Sequence, residues 1–128
     1  MGVTRFEDLI GWQRSRELNK LTYEFTQKGP LNKEFTLRDQ MRRSSLSVMS
    51  NIAEGFDRGG DKEFVQYLFI SKGSCSELRS QLYAAKDVGY LDPEEFKTAF
   101  ELAEETSKIL QGLIKAIKKR DETGHKFK

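Results

Sequence analysis

Apolar residues recur at helical spacing in four separate segments of this chain, and glycine or proline ends each of the first three. The breaks fall at Gly29 and Pro30, between Gly55 and Gly60, and at Gly89. Apolar side chains at every third or fourth position are typical of a helix that buries one face. A chain of 128 residues ordinarily forms one domain. Because each helix has one apolar face and the connections are short, the pattern predicts an all-α fold, an antiparallel up-down-up-down four-helix bundle.

Start signals accompany these segments. Thr4 and Glu7 have the spacing of a capping box, in which a hydroxyl and a carboxylate accept hydrogen bonds from free amides. Thr36 and Asp61 are candidate caps of the second and third helices, and Asp92-Pro93-Glu94-Glu95 is the clearest start signal of the chain. We therefore expect helices over 4–28, from 36 to the glycines at 55–60, over 61–89 and from 92 onward, in a bundle domain 1–121 followed by a polar tail, 122–128.

Composition excludes several classes of protein and site. The 37% hydrophobic and 33% charged residues argue against a membrane span, so we expect no membrane partner. Glu7 and Asp8 stand where a signal peptide has an apolar run, and we expect a cytoplasmic protein. Cys75 is the only cysteine and His125 the only histidine, so the sequence contains no zinc or redox motif. We predict that Cys75 is a small buried hydrophobe. We predict no metal, no cofactor and no catalytic residue.

The third helix carries more apolar surface than one bundle can cover. Its predicted core seam is Phe64, Leu68, Ser71, Cys75, Leu78, Leu82 and Ala85. At about 100° of rotation per residue, Val65, Phe69 and Ile70 point well away from this seam. A helix that is apolar all round is normally buried all round. We therefore predict that Val65, Phe69 and Ile70 form an oligomer interface.

Several short motifs follow one another along the chain. The longest is the run SNIAEGF at 50–56, with QMRRSS at 40–45 before it and KEF at 62–64 after it. Shorter ones are FEDL at 6–9 with Trp12, KGS at 72–74 with Glu77-Leu78, and GYL at 89–91. In this order and spacing they resemble one protein family, the 23S ribosomal RNA intervening-sequence proteins, also called the four-helix-bundle protein family. One departure is Met49, where members often carry proline.

The resemblance implies an all-helical bundle that is commonly a homopentamer. It also implies kinship with the accessory protein of diversity-generating retroelements, a pentameric helper that binds nucleic acid and a reverse transcriptase. No catalytic residues are known for this family, so none is carried over to this chain. The resemblance thus favours a protein that is not an enzyme.

Polar residues of the matched motifs form a stripe beside the apolar face of the second helix. Glu54 and Arg58 are spaced to form a surface ion pair. With the turn between the second and third helices near Gly59, antiparallel pairing sets Asn51 level with Tyr67, Ser44 level with Ser74, and Glu77 level with residues 41–43. We predict that Glu77 pairs with Arg42 or Arg43, and that Gly73 and Ser74 permit close helix approach. The predicted polar network is Arg42, Arg43, Asn51, Glu54, Ser74 and Glu77, which either fixes register or subunit contacts or holds a ligand.

The last helix is electrically polarised. Its first part, from Asp92 to Glu105, has a net charge of −5, and the part from Lys108 to Lys128 has +5. In an up-down bundle, the basic end lies beside the start of the first helix and the turn between the second and third. The predicted nucleic-acid-binding residues gathered there, with Arg5 beside them, are Arg14, Arg16, Arg58, Lys62, Lys115, Lys118, Lys119 and Arg120. The alternative interpretation is that these charges complement the helix dipole and keep the protein soluble.

Two function hypotheses follow. The first is an oligomeric, nucleic-acid-associated accessory factor whose basic end contacts RNA or DNA phosphates with weak sequence specificity. The second is a protein interaction scaffold or adaptor with no nucleic-acid role, whose partner docks on the outer face of the third helix or on the polar stripe. The expected partners are further copies of the chain, RNA or DNA, and a reverse transcriptase or another protein.

Overall fold

A computed structural model describes residues 2–125, with side chains through residue 122. Within this range the chain forms four α-helices, two short 3-10 turns and no strand. The helices are α1 (Ile10–Thr26), α2 (Phe35–Asp57), α3 (Asp61–Asp87) and α4 (Pro93–His125), and the 3-10 turns are Phe6–Asp8 and Gly29–Asn32. The all-α prediction is therefore confirmed. α4 continues into the predicted tail, whose residues 126–128 lie outside the described range, as does the side chain of His125.

Neighbouring helices run in opposite directions, as side-chain contacts along each pair show. On α1 and α4, Arg14 meets Glu105 near one end and Lys28 meets Glu95 near the other. The corresponding contacts are Asp61 with Arg120 and Arg79 with Glu104 between α3 and α4, Ser45 with Asn19 and Arg42 with Thr26 between α1 and α2, and Glu54 with Tyr67 and Arg43 with Glu77 between α2 and α3. The bundle is thus up-down-up-down.

The buried seam of α3 runs through both halves of the core. Every residue predicted for it, from Phe64 to Ala85, is buried. Phe64, Leu68 and Cys75 pack with the last turns of α4, and Leu78 and Leu82 pack with α1 and the start of α4. The hydroxyl of Ser71 donates to the Val48 carbonyl at 2.9 Å, so the one polar side chain predicted for the seam has a partner across the α2–α3 contact.

Only one of the predicted caps forms. At the start of α4, the Glu95 amide donates to Asp92 Oδ1 at 2.8 Å, and the Asp92 amide donates to Glu95 Oε1 at 3.2 Å. This is the reciprocal pattern of a capping box. The predicted stop at Gly89 is also confirmed, because Gly89 has φ +79° and the Tyr90 amide donates back to the Ala85 carbonyl at 2.8 Å.

The other three caps were wrong. Thr4 precedes the 3-10 turn Phe6–Asp8, which contains Glu7, and α1 begins only at Ile10 because Leu9 is extended. Thr36 lies inside the first turn of α2, after Glu34 at the cap position. Asp61 is the first residue of α3 and makes no capping bond. Its carboxylate oxygen Oδ2 instead lies 2.7 Å from Arg120 Nη2. This contact holds the pKa of Asp61 below its usual value.

The register of α2 against α3 differs from the prediction by about one turn. Gly55, predicted as a helix stop, lies inside α2 and is buried against Tyr67, so Tyr67 stands beside Gly55 rather than Asn51. Ser74 accordingly meets Ser47 instead of Ser44. The prediction placed the register by the position of the turn alone. The register is set instead at Gly55, where the absence of a side chain lets α3 approach α2 closely.

Candidate nucleic-acid interface

The predicted polar network forms as three separate contacts along the α2–α3 seam. Near its middle, Arg43 Nη2 lies 3.7 Å from Glu77 Oε2, which confirms the predicted pair in one of its two forms. One turn along, the buried hydroxyl of Ser74 donates to Ser47 Oγ at 2.9 Å, and Asn51 Nδ2 donates to the same oxygen at 3.0 Å. The bond between Ser74 and Ser47 joins the two helices to each other.

Two residues predicted to take part in the α2–α3 contact, Arg42 and Gly73, do not do so. Arg42 faces α1, where its Nε donates to Thr26 Oγ1 at 2.9 Å and its guanidinium lies 4.7 Å from the centre of the Tyr23 ring. It sits on the opposite flank of α2 from Arg43 and belongs to the α1–α2 contact. Gly73 is exposed, with no atom within 4 Å of the position that a Cβ would take. The prediction that Gly73 permits close helix approach was therefore wrong, and Gly55 has that role.

Glu54 is the centre of the third contact. Its Oε2 accepts hydrogen bonds from Arg58 Nη2 at 3.1 Å and from the Tyr67 hydroxyl at 3.0 Å. The Arg58 guanidinium also lies 5.4 Å from the centre of the Tyr67 ring. The bond from Arg58, followed by that from Tyr67, lowers the pKa of Glu54, and the same contacts raise the pKa of Tyr67 and of Arg58. The contact locks the end of α2 onto the first turns of α3.

Carboxylates of the same chain engage the arginines of the predicted basic end. Arg14 lies 3.2 Å from Glu17 and 3.1 Å from Glu105. Arg58 lies 3.1 Å from Glu54 and 3.6 Å from Glu63. The other two pairs are Arg120 with Asp61 at 2.7 Å and Arg5 with Glu7 at 3.3 Å. A phosphate at this end of the bundle would have to compete with these carboxylates for each guanidinium.

The remaining residues of that prediction lie on three helices. Arg16 is on α1, where its guanidinium lies 5.7 Å from the centre of the Trp12 ring. Lys62 is exposed in the first turn of α3. The three lysines 115, 118 and 119 are exposed on the last turns of α4.

A different group of cations shares one face, formed by the outer sides of α3 and α4. This α3–α4 basic face consists of Lys72, Arg79, Lys108, Lys115, Lys118 and Lys119. Lys72, Arg79 and Lys108 line one groove of about 220 Å³ between the two helices. Lys115 and Lys119 follow Lys108 at intervals of seven and four residues, so all three lie on one side of α4 over about 17 Å.

The cations of this face have different partners. Arg79 Nη1 lies 4.0 Å from Glu104 Oε2. Lys72 donates to the neutral side chain of Gln111, and Lys118 Nζ lies 5.1 Å from the centre of the Phe69 ring. Lys72, Arg79 and Lys108 were absent from the predicted site because they lie along α3 and α4, away from the end of the bundle where the prediction placed it. The spacing of Lys108, Lys115 and Lys119 was the signal in the sequence that indicated a stripe along α4 rather than a patch at its end.

The predicted oligomer residues do not all face outward. Phe69 and Ile70 keep 45% and 51% of their surface exposed, as predicted for residues that point away from the core. Val65 is partly buried and packs against the cluster of Phe64 and Leu68, so its expected outward direction was wrong. Its position on the α4 side of α3 lets it reach the contact between the two helices.

Cys75 is confirmed as a buried hydrophobe. It lies in the core with no exposed surface, and burial raises the pKa of its thiol to about 12. The thiolate required for nucleophilic or metal chemistry is therefore strongly disfavoured at this position. Within residues 2–122, no three His, Cys, Asp or Glu side chains are grouped so as to hold a metal ion. None of the helices described combines the length and the apolar run that crossing a bilayer requires.

Comparison with known proteins agrees with the fold. The chain is similar to a crystallised protein of unknown function from the S23 ribosomal protein family of Bacteroides thetaiotaomicron VPI-5482, with a TM-score of 0.76 at 22% identity, covering 83% of this chain and 96% of that one. No curated protein matches the chain. The model of one protein family matches residues 7–112, which include all of α1, α2 and α3 and the larger part of α4. The chain belongs to the 23S rRNA-intervening sequence protein family.

Proposed function

We propose that this protein is a non-enzymatic accessory factor that binds RNA or DNA phosphates through the α3–α4 basic face, in the cytoplasm. The observation that carries the proposal is that the exposed lysines 108, 115 and 119 lie along one side of α4 and that Lys72 and Arg79 of α3 line a groove with the first of them. The family name, which refers to a sequence that interrupts 23S rRNA, supports a nucleic-acid context.

Electrostatics sets what this face would recognise. Cations that meet phosphates release condensed counterions, so affinity falls steeply as salt rises, by about 0.7 to 0.9 in the log–log slope for each phosphate contacted. Lysine is a point charge without the planar fork of arginine, and lysines dominate this face. We therefore infer binding with little base selectivity at this surface, where phosphate contacts position the nucleic acid.

The test compares two matched double variants. K108Q/K115Q removes two cations from the α3–α4 basic face, whereas K33Q/K97Q removes two exposed lysines at other places on the surface. Binding of a fluorescein-labelled RNA is followed by anisotropy from low to high salt. We expect K108Q/K115Q to weaken binding several-fold and to reduce the salt slope by about 1.4 to 1.8, with K33Q/K97Q close to wild type. Equal affinities and slopes for the two variants would overturn the proposal.

A protein scaffold is the second candidate function, and the exposed Phe69 and Ile70 favour it. Large apolar side chains on an outer helix face commonly mark a contact with another protein. We propose that this face of α3 mediates self-association, with the pentamer that the family resemblance implies as the expected state. Besides further copies of the chain, the expected protein partner is a reverse transcriptase, which the kinship with the retroelement accessory protein implies.

Sedimentation and pull-down separate these possibilities. Sedimentation velocity of wild type and of F69S/I70S at micromolar concentration tests self-association, and a wild type that sediments as a monomer would refute it. For the scaffold hypothesis, partners retained on immobilised protein are compared with and without nuclease. Partners that survive nuclease treatment support the scaffold, whereas partners lost with the nucleic acid support the accessory factor.

A further inference from the structure

A second recognition surface lies apart from the α3–α4 basic face, on the outer side of α1. The 3-10 turn Phe6–Asp8 and the first turns of α1 border an open groove of about 600 Å³. Trp12 forms its apolar part, and Arg16 and Lys20 lie along its side. Its volume is within the range of about 300 to 1,000 Å³ that is typical of sites for small organic ligands.

The indole of Trp12 is held in place. Its ring packs edge-on against Phe6 at 5.2 Å between ring centres. Both rings also pack against the core cluster that contains Leu9, Leu110 and Ile114. Gln13 Nε2 donates to the Glu7 carbonyl at 3.0 Å, which ties the preceding turn to α1. The guanidinium of Arg16 lies over the ring, 5.7 Å from its centre, so this face of the indole already holds a planar cation. A base that stacks on Trp12 would displace the guanidinium, which could then contact the phosphate.

The carboxylates of the groove form ion pairs within the chain, which leaves two of its cations to contact a ligand. Glu7 lies 3.3 Å from Arg5, and Glu17 lies 3.2 Å from Arg14, so both acids are engaged. Arg16 and Lys20 take part in no ion pair with the described side chains. They are four residues apart, about 6 Å along the helix axis, so both can reach one side of a bound group. The groove therefore combines an aromatic face with two cations.

We propose that the Trp12 groove binds an unpaired nucleotide of a single strand, with its base on the indole and its phosphates on Arg16 and Lys20. This inference rests on the proposed nucleic-acid function and specifies the kind of strand that the protein takes. Stacking on an aromatic side chain requires an exposed base face, which a single strand offers and a duplex hides within its stack. A face of lysines alone does not make this distinction.

Trp12 is the only tryptophan of the chain, so its fluorescence reports directly on the groove. The wild-type protein is titrated with a short oligouridylate, with an RNA duplex and with inorganic polyphosphate. We expect the oligouridylate to quench the emission and the other two to bind without quenching. Equal quenching by the oligouridylate and polyphosphate would overturn the stacking arrangement, because polyphosphate has no base.

Variants separate the groove from the basic face. Loss of one stacked base corresponds to roughly 5- to 150-fold in affinity, so anisotropy should show W12L weakened at least fivefold for the single strand and unchanged for the duplex. W12F keeps an aromatic face and should retain most of the affinity. R16Q/K20Q leaves the core intact, and we expect it to weaken single-strand binding more than the charge-matched K33Q/K97Q does.

The outcomes of the two experiments are distinguishable. If W12L, checked for folding by circular dichroism, and R16Q/K20Q both bind the single strand like wild type while K108Q/K115Q does not, the groove proposal is wrong and the proposed function stands. If wild type binds neither single strand nor duplex, both are wrong. A single-strand preference that disappears in W12L and persists in K108Q/K115Q supports the groove as a separate site.

Discussion

Gly55 is the position where a single methyl group should do the most damage. A Cβ at this residue would overlap Cβ of Tyr67 and would lie 3.0 Å from its Cγ and 3.3 Å from Cδ1 of Phe64. Carbon atoms ordinarily rest about 3.5 to 4.0 Å apart. The Cβ of Tyr67 is fixed to the backbone of α3, so a rotamer change cannot relieve the overlap. Gly55→Ala therefore forces α2 and α3 apart at their closest approach.

Two opposed effects decide the net change in stability. Overpacking a well-packed contact costs about 1 to 3 kcal/mol, and the backbone anchor of Tyr67 puts this site toward the upper end. Replacing glycine by alanine inside a helix returns about 1 kcal/mol of helix propensity. We expect Gly55→Ala to lower the free energy of unfolding by about 1 to 2 kcal/mol, which corresponds to a fall in Tm of roughly 3 to 8 °C for a domain of this size.

Gly112 provides the matched control. It lies inside α4, is exposed, and has no atom within 4 Å of the position of a Cβ. Gly112→Ala has the same gain in propensity without the overlap, so it should raise the free energy of unfolding by up to about 1 kcal/mol. Both variants are unfolded by urea at one protein concentration and followed by circular dichroism. A Gly55→Ala protein as stable as Gly112→Ala would refute the reasoning.

Three further predictions concern single side chains. Asp92→Ala should lower the free energy of unfolding by about 1 kcal/mol in thermal melts, whereas Asp92→Asn keeps an acceptor and should change it little. Arg58→Gln should raise the pKa of Glu54 in a carboxyl NMR titration, because the bond from Arg58 is the largest cause of its lowering. In wild type this contact stabilises the fold at pH values above the ordinary carboxyl pKa of 4.5, and the stabilisation is lost as the pH falls through the lower pKa of Glu54 in the folded protein. Cys75, with its pKa raised to about 12, should react with a thiol reagent at pH 8 far more slowly in the native protein than in urea, and equal rates would contradict its burial.

The helix boundaries show which local signals suffice. The start of α4 was predictable because Asp92 and Glu95, three residues apart, bond to each other's amides. Glu95 keeps this bond although its other carboxylate oxygen lies 3.7 Å from Lys28 of α1. Asp61 is also a carboxylate at a helix start, but it pairs with Arg120, a residue far along the chain. Thr4 failed because the chain enters α1 through a 3-10 turn and an extended Leu9. A cap can therefore be recognised from sequence when no tertiary partner takes the side chain away from the backbone amides.

The same limit applies to the basic residues. Counting charges along the sequence correctly located a surplus of cations in the second half of α4. It did not show that Glu105 would occupy Arg14, because that pair forms only when α1 and α4 are side by side. Nor did it show that Lys72 and Arg79 of α3 would line one groove with Lys108. Which charges are available to a partner depends on inter-helix pairing, and the pairing follows from register.

The motif that carries the family resemblance explains the fold rather than the function. Within it, Ile52 is buried in the core, Glu54 bonds Tyr67, and Gly55 lets α3 approach, so these residues join α2 to α3. Their polar groups are already bonded to the same chain, which leaves them little capacity for a ligand. The surfaces proposed to bind nucleic acid, the lysines of α4 and the groove at Trp12, lie outside the run 50–56. Variants of that run and variants of those surfaces should therefore separate stability from binding.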